Sequence, residues 1–291
     1  MELFVPVFFL ACLLALLSAA VQRAIQTALE RRPALVFTAP ALLSAIFLAA
    51  ATQLSTLNLP LAVLIVAYTF VPTLCAFLVR RSTPPVWMDF AIIALLWFPL
   101  EFSAGQSFVP KRAQGTLHTA AYGVAILLAL TLFLLFRRLP AMKYNLPRSG
   151  RDLIHLLAGF AASAVILIPA GRAIGFLSPF HMPGKPAGRI GLEYLVILAS
   201  TALPEEILFR GLIQNSLMQR LGTNTGTLLL AAFIFGCAHL DNGPGPLPNW
   251  RYMIVATIAG VAYGKVYEKS SSIFASAGLH ALVNTIKHIC F

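Results

Sequence analysis

The chain has 291 residues, 59% of them hydrophobic and 11% charged, where a soluble domain carries about 45–50% and about 25%. One core does not hold that much apolar side chain, and mean hydropathy is +0.83, so a water-soluble enzyme is excluded and most of the surface faces lipid. The net charge of +11 lies in short loops with no basic run interleaved with aromatics, which reads as membrane anchoring and excludes a nucleic-acid partner.

The apolar runs fall near 3–21, 34–51, 61–79, 90–100, 120–136, 153–170, 192–212, 227–240, 253–263 and 273–289. At ~20 residues per span they predict an all-α, polytopic transmembrane helical bundle with about 8–10 spans. The first run is long and its n-region, Met1-Glu2, lacks positive charge, so it is expected to stay as a helix and not be removed as a signal peptide. The fourth and ninth runs are short and suit tilted or re-entrant segments. Asp89 and Glu101 flank the fourth run and are expected to cap the helix or sit at the interface. Trp87, Trp97, Trp250 and Tyr252 fit an aromatic belt. His118, His155, His181 and His288 fall in loops or at span ends. Cys12, Cys75, Cys237 and Cys290 show neither metal spacing nor a disulfide framework.

Charge gives an orientation. The odd-numbered connections between runs hold 14 basic residues, among them Arg80, Arg81, Arg137, Arg138 and Arg151, and the even-numbered ones hold 6. Arg210 is counted in the larger set although it lies inside a predicted helix. The positive-inside rule places the odd connections in the cytoplasm and both termini outside. Residues 1–190 then form N-terminal scaffold helices with few charges in their spans. Residues 191–291 form the catalytic helices, where Glu205, Glu206, Arg210, His239, His280 and Asn284 concentrate.

A charged residue at the centre of a span costs about 2.5–3.5 kcal/mol on insertion scales, so adjacent Glu205 and Glu206 need partners or a task. Glu206 and Arg210 stand at i, i+4 with the acid first, the favourable order for an ion pair. Glu205 is rotated ~100° away and is the one expected to act. Pro204 lacks a backbone donor and loosens the helix beside them. Phe235-Gly236-Cys237-Ala238-His239 ends the next apolar run, and its small residues permit close backbone approach. His280 and Asn284 share a face of the last helix. Counting ~1.5 Å per residue from a tight turn at 222–225 brings Glu205 and His239 to one depth, with His280 and Asn284 near it.

These three motifs, E-E-x-x-x-R at 205–210, F-x-x-x-H at 235–239 and H-x-x-x-N at 280–284, resemble those of the CPBP family. That family comprises CAAX proteases and bacteriocin-processing enzymes, including the Ras-converting CAAX endopeptidases, which are glutamic intramembrane proteases. The resemblance covers residues 190–290; residues 1–190 show no specific match. It implies that Glu205 activates a water, that His239 binds and polarises it, and that His280 and Asn284 stabilise the oxyanion. Glu206, Arg210 and Phe235 support them. The expected activity is an endopeptidase of a membrane-associated protein or peptide substrate, in the plasma (inner) membrane of a bacterium, with the lipid bilayer as its other partner and no cofactor.

Three other functions compete. A zinc metalloprotease would use Glu205, His239 and His280 as ligands, an allowed set, but there is no H-E-x-x-H pair. A non-catalytic scaffold or immunity protein would keep the motifs for packing. A transporter would use a carboxylate as proton carrier, but no internal repeat is visible.

Overall fold

Local sequence sets the helix boundaries. The computed structural model describes residues 4–243 and 246–291 and is all-helical over them, with no strand among the described residues. Leu3 and the expected n-region, Met1-Glu2, lie outside the described residues. The chain divides into two compact units, the first ending at Pro140 and the second Ala141–Phe291.

In the first unit, α1 (Phe4–Ala15) is apolar, whereas α2 (Ala19–Arg31) carries Gln22, Arg23, Gln26, Glu30 and Arg31. The expected single helix over the first run is therefore broken. Ser18 caps α2 by accepting from Val21 N, Gln22 Nε2 donates to Leu16 O at 2.7 Å, and the two helices meet at 89°. A short 3-10 turn, Pro33–Phe37, leads into α3 (Thr38–Gln53). α4 (Leu59–Leu78) opens on Asn58, whose Oδ1 accepts from Leu61 N at 3.0 Å. Ser44 of α3 and Thr69 of α4 share a buried hydrogen bond of 2.7 Å. α5 (Trp87–Glu101) begins where Asp89 Oδ2 accepts from Val86 N at 2.7 Å. α6 (Lys111–Ala129) continues as a π-helical stretch, Leu130–Phe136, and packs against α1, α3 and α5.

Asp89 is fully buried, and its carboxylate meets Arg137 in a two-pronged ion pair, Nε–Oδ1 and Nη2–Oδ2 both 2.8 Å. Arg137 Nη1 also donates to Ser82 O at 2.9 Å and to Val79 O. Such a fork satisfies both charges at once, so α4, α5 and the end of α6 are fastened at one point. Glu101 accepts from Trp97 Nε1 at 2.8 Å. Asp89 thus caps α5 as expected, whereas its buried ion pair with Arg137 is not foreseen by the sequence reading.

In the second unit, α7 (Arg151–Ala173) packs on α12 (Trp250–Lys269) and α13 (Ile273–Cys290). The sequence groups α7 with the N-terminal helices, yet its neighbours are C-terminal. Between α12 and α13 lies a turn held from several sides. Asp152 accepts from Ser271 N at 2.7 Å and from Ser271 Oγ at 2.5 Å. Lys143 Nζ donates to Tyr267 O at 2.6 Å and Glu268 O at 3.2 Å, capping the carbonyl end of α12. Burial holds this ammonium below the usual lysine range, against the opposing pull of Asp152 and Glu268. Tyr267 Oη donates to Ala141 O at 2.6 Å.

One long helix runs from 187 to 221. Its parts are α8 (Ala187–Ile197), a π-helical turn Leu198–Ala202, α9 (Leu203–Glu206), a second π-helical stretch Ile207–Gln214, and α10 (Asn215–Leu221). Pro204 explains the first widening. It has no N–H, and its ring clashes with the carbonyl four residues back in a regular helix, which the wider turn avoids. π turns of this kind concentrate at functional sites. Gly222 ends the helix at φ +84°, a conformation that suits glycine. Asn224 Oδ1 then accepts from Thr227 N at 3.0 Å and starts α11 (Thr225–Cys237).

Among the described residues four helical stretches are long and apolar enough to cross a membrane: Pro33–Gln53, Leu59–Leu78, Lys111–Phe136 and Arg151–Ala173. The bent pair α1 and α2 makes a fifth if it counts as one span. This is fewer than the roughly eight to ten apolar runs at ~20 residues each suggest. Charge and length account for the difference. α11 has only 13 residues, α12 carries Arg251, Lys265, Glu268 and Lys269, and α13 is diluted by His280, Asn284, Lys287 and His288.

Candidate active site

The site is assembled entirely within the second unit, from α9, the π-helical stretch after it, α11, α12 and α13. α11 and α12 can approach closely because Gly236 faces α12. A Cβ there would stand 1.9 Å from Thr257 Oγ1 and 2.7 Å from Met253 O, far inside contact distance. That approach brings the C-terminal end of α11, with Phe235 and His239, against the aromatic side chains of α12.

Phe235 is the hub. Its ring centroid lies 5.0 Å from Phe209, 4.8 Å from His239, 6.0 Å from Tyr263 and 5.7 Å from His280, all edge to face. Arg210 Cζ sits 4.8 Å from the same centroid and 5.9 Å from that of Tyr263. His280 stacks on Tyr263 at 4.6 Å, with 20° between the planes. These ring neighbours fix the planes of both imidazoles.

The acidic groups complete the arrangement. Glu206 is fully buried, with Oε2 3.2 Å from Arg210 Nε and Oε1 3.2 Å from His280 Nδ1. The Arg210 contact is a charge contact: the guanidinium makes no hydrogen bond of good geometry to a described residue and lies against the two rings instead. The other side of the His280 ring, Nε2, faces Glu205 Oε2 at 3.8 Å. The Glu205 side chain is 25% exposed while that of Glu206 is fully covered. One imidazole therefore spans two adjacent carboxylates, one sealed and one open.

His239 is held differently. Its Nδ1 lies 2.9 Å from Phe235 O, so Nδ1 carries the proton in the tautomer that satisfies the carbonyl and Nε2 keeps its lone pair. Its ring also meets Tyr252 at 4.6 Å. Asn284 is half-buried one turn after His280 and makes no hydrogen bond to a described residue.

The structure brings Glu205, Glu206, Arg210, Phe235, His239 and His280 into one cluster; the depth count in the sequence places Glu205, His239, His280 and Asn284 together. Asn284 lies one turn after His280 on the same helix and makes no hydrogen bond to a described residue of that cluster. Tyr263, Phe209 and Tyr252 are missed by the sequence reading. Tyr252 belongs to the site and not to an aromatic belt, whereas Trp87 and Trp250 are exposed. Its position one turn into a helix, between two motif-bearing segments, is the only signal it carries. Among the described residues no three His, Cys, Asp or Glu side chains are grouped so as to hold a metal ion.

Residues 188–286 match the family model described as Type II CAAX prenyl endopeptidase Rce1-like. No curated protein and no solved structure matches the chain.

Proposed function

Because residues 188–286 match the Rce1-like model of CAAX prenyl endopeptidases, we propose that this membrane protein is a glutamic intramembrane endopeptidase. Its substrate is a membrane-associated protein or peptide, and its seat is the plasma membrane of a bacterium. Residues 191–291 supply the chemistry and the helices before them the scaffold.

Glu205 takes a proton from a water whose oxygen attacks the scissile carbonyl carbon. The carbonyl oxygen becomes an oxyanion, which His280 and Asn284 receive as donors. For His280 to donate at Nε2 while Nδ1–H faces Glu206, its ring carries both protons. The C–N bond then breaks, and the proton held by Glu205 passes to the departing nitrogen. His239 Nε2 accepts a hydrogen bond from the water and fixes it. Glu206 and Arg210 hold His280 in place, the role a buried carboxylate plays behind a catalytic imidazole. A carboxylate that is partly exposed and faces a buried imidazole is suited to general-base work.

The observation that carries this reading is the 3.8 Å approach of Glu205 to His280, residues far apart in the chain, with Glu206 on the other ring nitrogen. The test is hydrolysis of a lipidated fluorogenic peptide by the purified protein in vesicles, with products mapped by mass spectrometry. Glu205→Gln lowers the rate at least ~10²-fold, the usual worth of a general base, and leaves the melting transition in place. A chelator leaves the wild-type rate unchanged. Undiminished cleavage by the Glu205→Gln protein would exclude the glutamate mechanism, and a biological role that survives this substitution intact would mark the protein as a scaffold.

A further inference from the structure

In the first unit, a cleft of about 310 Å³ is lined by Arg80, Arg81, Arg138 and Glu30. The cations come from the connections after α4 and after the π-helical end of α6, and the carboxylate from the last turn of α2. The floor is apolar, with Leu135 buried and Phe136 stacked on Phe77 at 6.4 Å and 3° between the planes. Pro33, also on the wall, opens the stretch Pro33–Gln53, while Leu59–Leu78 and Lys111–Phe136 each end two residues before a cleft arginine. Three of the helical stretches able to cross a bilayer thus have an end here, which puts the cleft at a membrane boundary.

The arginines are held in position by the fold itself. Arg137 is anchored on Asp89, and its Nη1 also donates to Ser82 O at 2.9 Å and to Val79 O, which fixes the segment that carries Arg80 and Arg81. The next residue, Arg138, takes φ +52°, a conformation that residues with a Cβ rarely adopt, so that consecutive guanidiniums serve the core and the cleft. Arg80 Cζ rests 4.0 Å from the Phe77 ring centroid, and its Nη1 donates to Phe77 O at 2.8 Å. Glu30 pairs with Arg138. No carboxylate of a described residue pairs with Arg80 or Arg81.

We propose that this cleft is a binding site for the phosphodiester headgroup of an anionic phospholipid, held chiefly by Arg80 and Arg81. The inference is independent of the proteolytic reading. Three guanidiniums against one carboxylate leave an excess of positive charge, which attracts an anionic headgroup and repels the choline of a zwitterionic one. Guanidinium groups present paired N–H donors that match phosphate oxygens. Location selects a lipid over a free phosphate, because the apolar floor continues into helices that cross the bilayer and offers acyl chains a path away from the headgroup. The connections that meet here are also among those that the positive-inside rule assigns to the cytoplasm, the face on which anionic lipids draw basic segments. The Arg138–Glu30 pair is exposed on both sides and such pairs contribute little, so Glu30 weakens the site without occupying it.

The test adds phosphatidylglycerol or phosphatidylcholine to the full-length protein in neutral detergent micelles. Retained lipid is read by native mass spectrometry and the melting transition by circular dichroism. Wild type retains phosphatidylglycerol about tenfold over phosphatidylcholine and melts higher in its presence. Arg80→Gln with Arg81→Gln loses most of that preference and melts like wild type in detergent alone. Arg80→Lys with Arg81→Lys preserves the charges and retains a preference. Glu30→Gln releases Arg138 and strengthens the preference, a gain that no loss of folding can imitate. Lys111→Gln with Arg112→Gln, at the opposite end of the same span, leaves it unchanged. A preference that survives the double glutamine variant at 80 and 81, that falls equally with the variant at 111 and 112, or that weakens with Glu30→Gln overturns the site. Equal stabilisation by inorganic phosphate overturns it in favour of a free anion.

Discussion

Arg210 is among the largest fully buried side chains of the described residues. With its Nε 3.2 Å from Glu206, it neutralises a fully buried carboxylate. Arg210→Met keeps most of the packing against Phe235 and Tyr263 but strands the Glu206 charge. Removing one partner of a buried pair costs about 3–5 kcal/mol, so the variant is expected to melt well below wild type in detergent. Glu206→Gln together with Arg210→Met removes both charges and recovers part of that loss. A double variant no more stable than Arg210→Met would show that the pair is not coupled. The same pairing was legible at i, i+4 in the sequence. The second partner of Glu206, His280, was not, because spacing along one helix says nothing about which ring a neighbouring helix presents.

At the scale of elements, the decisive contact is α11 against α12. Gly236 allows it, and Thr257 Oγ1 occupies the space a side chain would take. Gly236→Val is expected to separate the two helices and move Phe235 and His239 away from the cluster. Overpacking of this kind costs typically 1–3 kcal/mol, and activity should fall further than stability, since the hub ring shifts with the helix. Circular dichroism melts beside peptide hydrolysis check both, and full activity of the Gly236→Val protein would contradict this role for the glycine. The long helix from 187 to 221 makes a complementary point. Pro204 announces a disturbance in the sequence, but the two π-helical stretches on either side of Glu205 and Glu206 follow from how the whole segment is packed, and a propensity scale does not hold that information.

At the scale of the molecule, composition fixes the solvent. Among the described residues four helical stretches have the length and apolarity to cross a bilayer, and counted over the ten apolar runs the basic residues cluster in alternate connections. The positive-inside rule then puts the connection after α4 in the cytoplasm. Arg81→Cys is expected to react with an impermeant maleimide only in inverted vesicles or after permeabilisation. Labelling from the outside of intact cells would reverse the orientation.

The amino-acid sequence by itself determined the helical class, the membrane environment and the residue types of the site, because apolar runs and costly intramembrane charges are properties of short stretches of chain. It also determined that Glu205 and Glu206 differ, since adjacent residues on a helix point apart. Only the tertiary structure decided that His280 spans the two glutamates, that Tyr252 and Tyr263 belong with them, that the first apolar run bends at Ser18, and that α7 packs with the C-terminal helices. Those facts depend on which helix faces which neighbour, and a hydrophobic stripe of leucine and alanine fits many neighbours equally well until the whole set of packing contacts is satisfied at once.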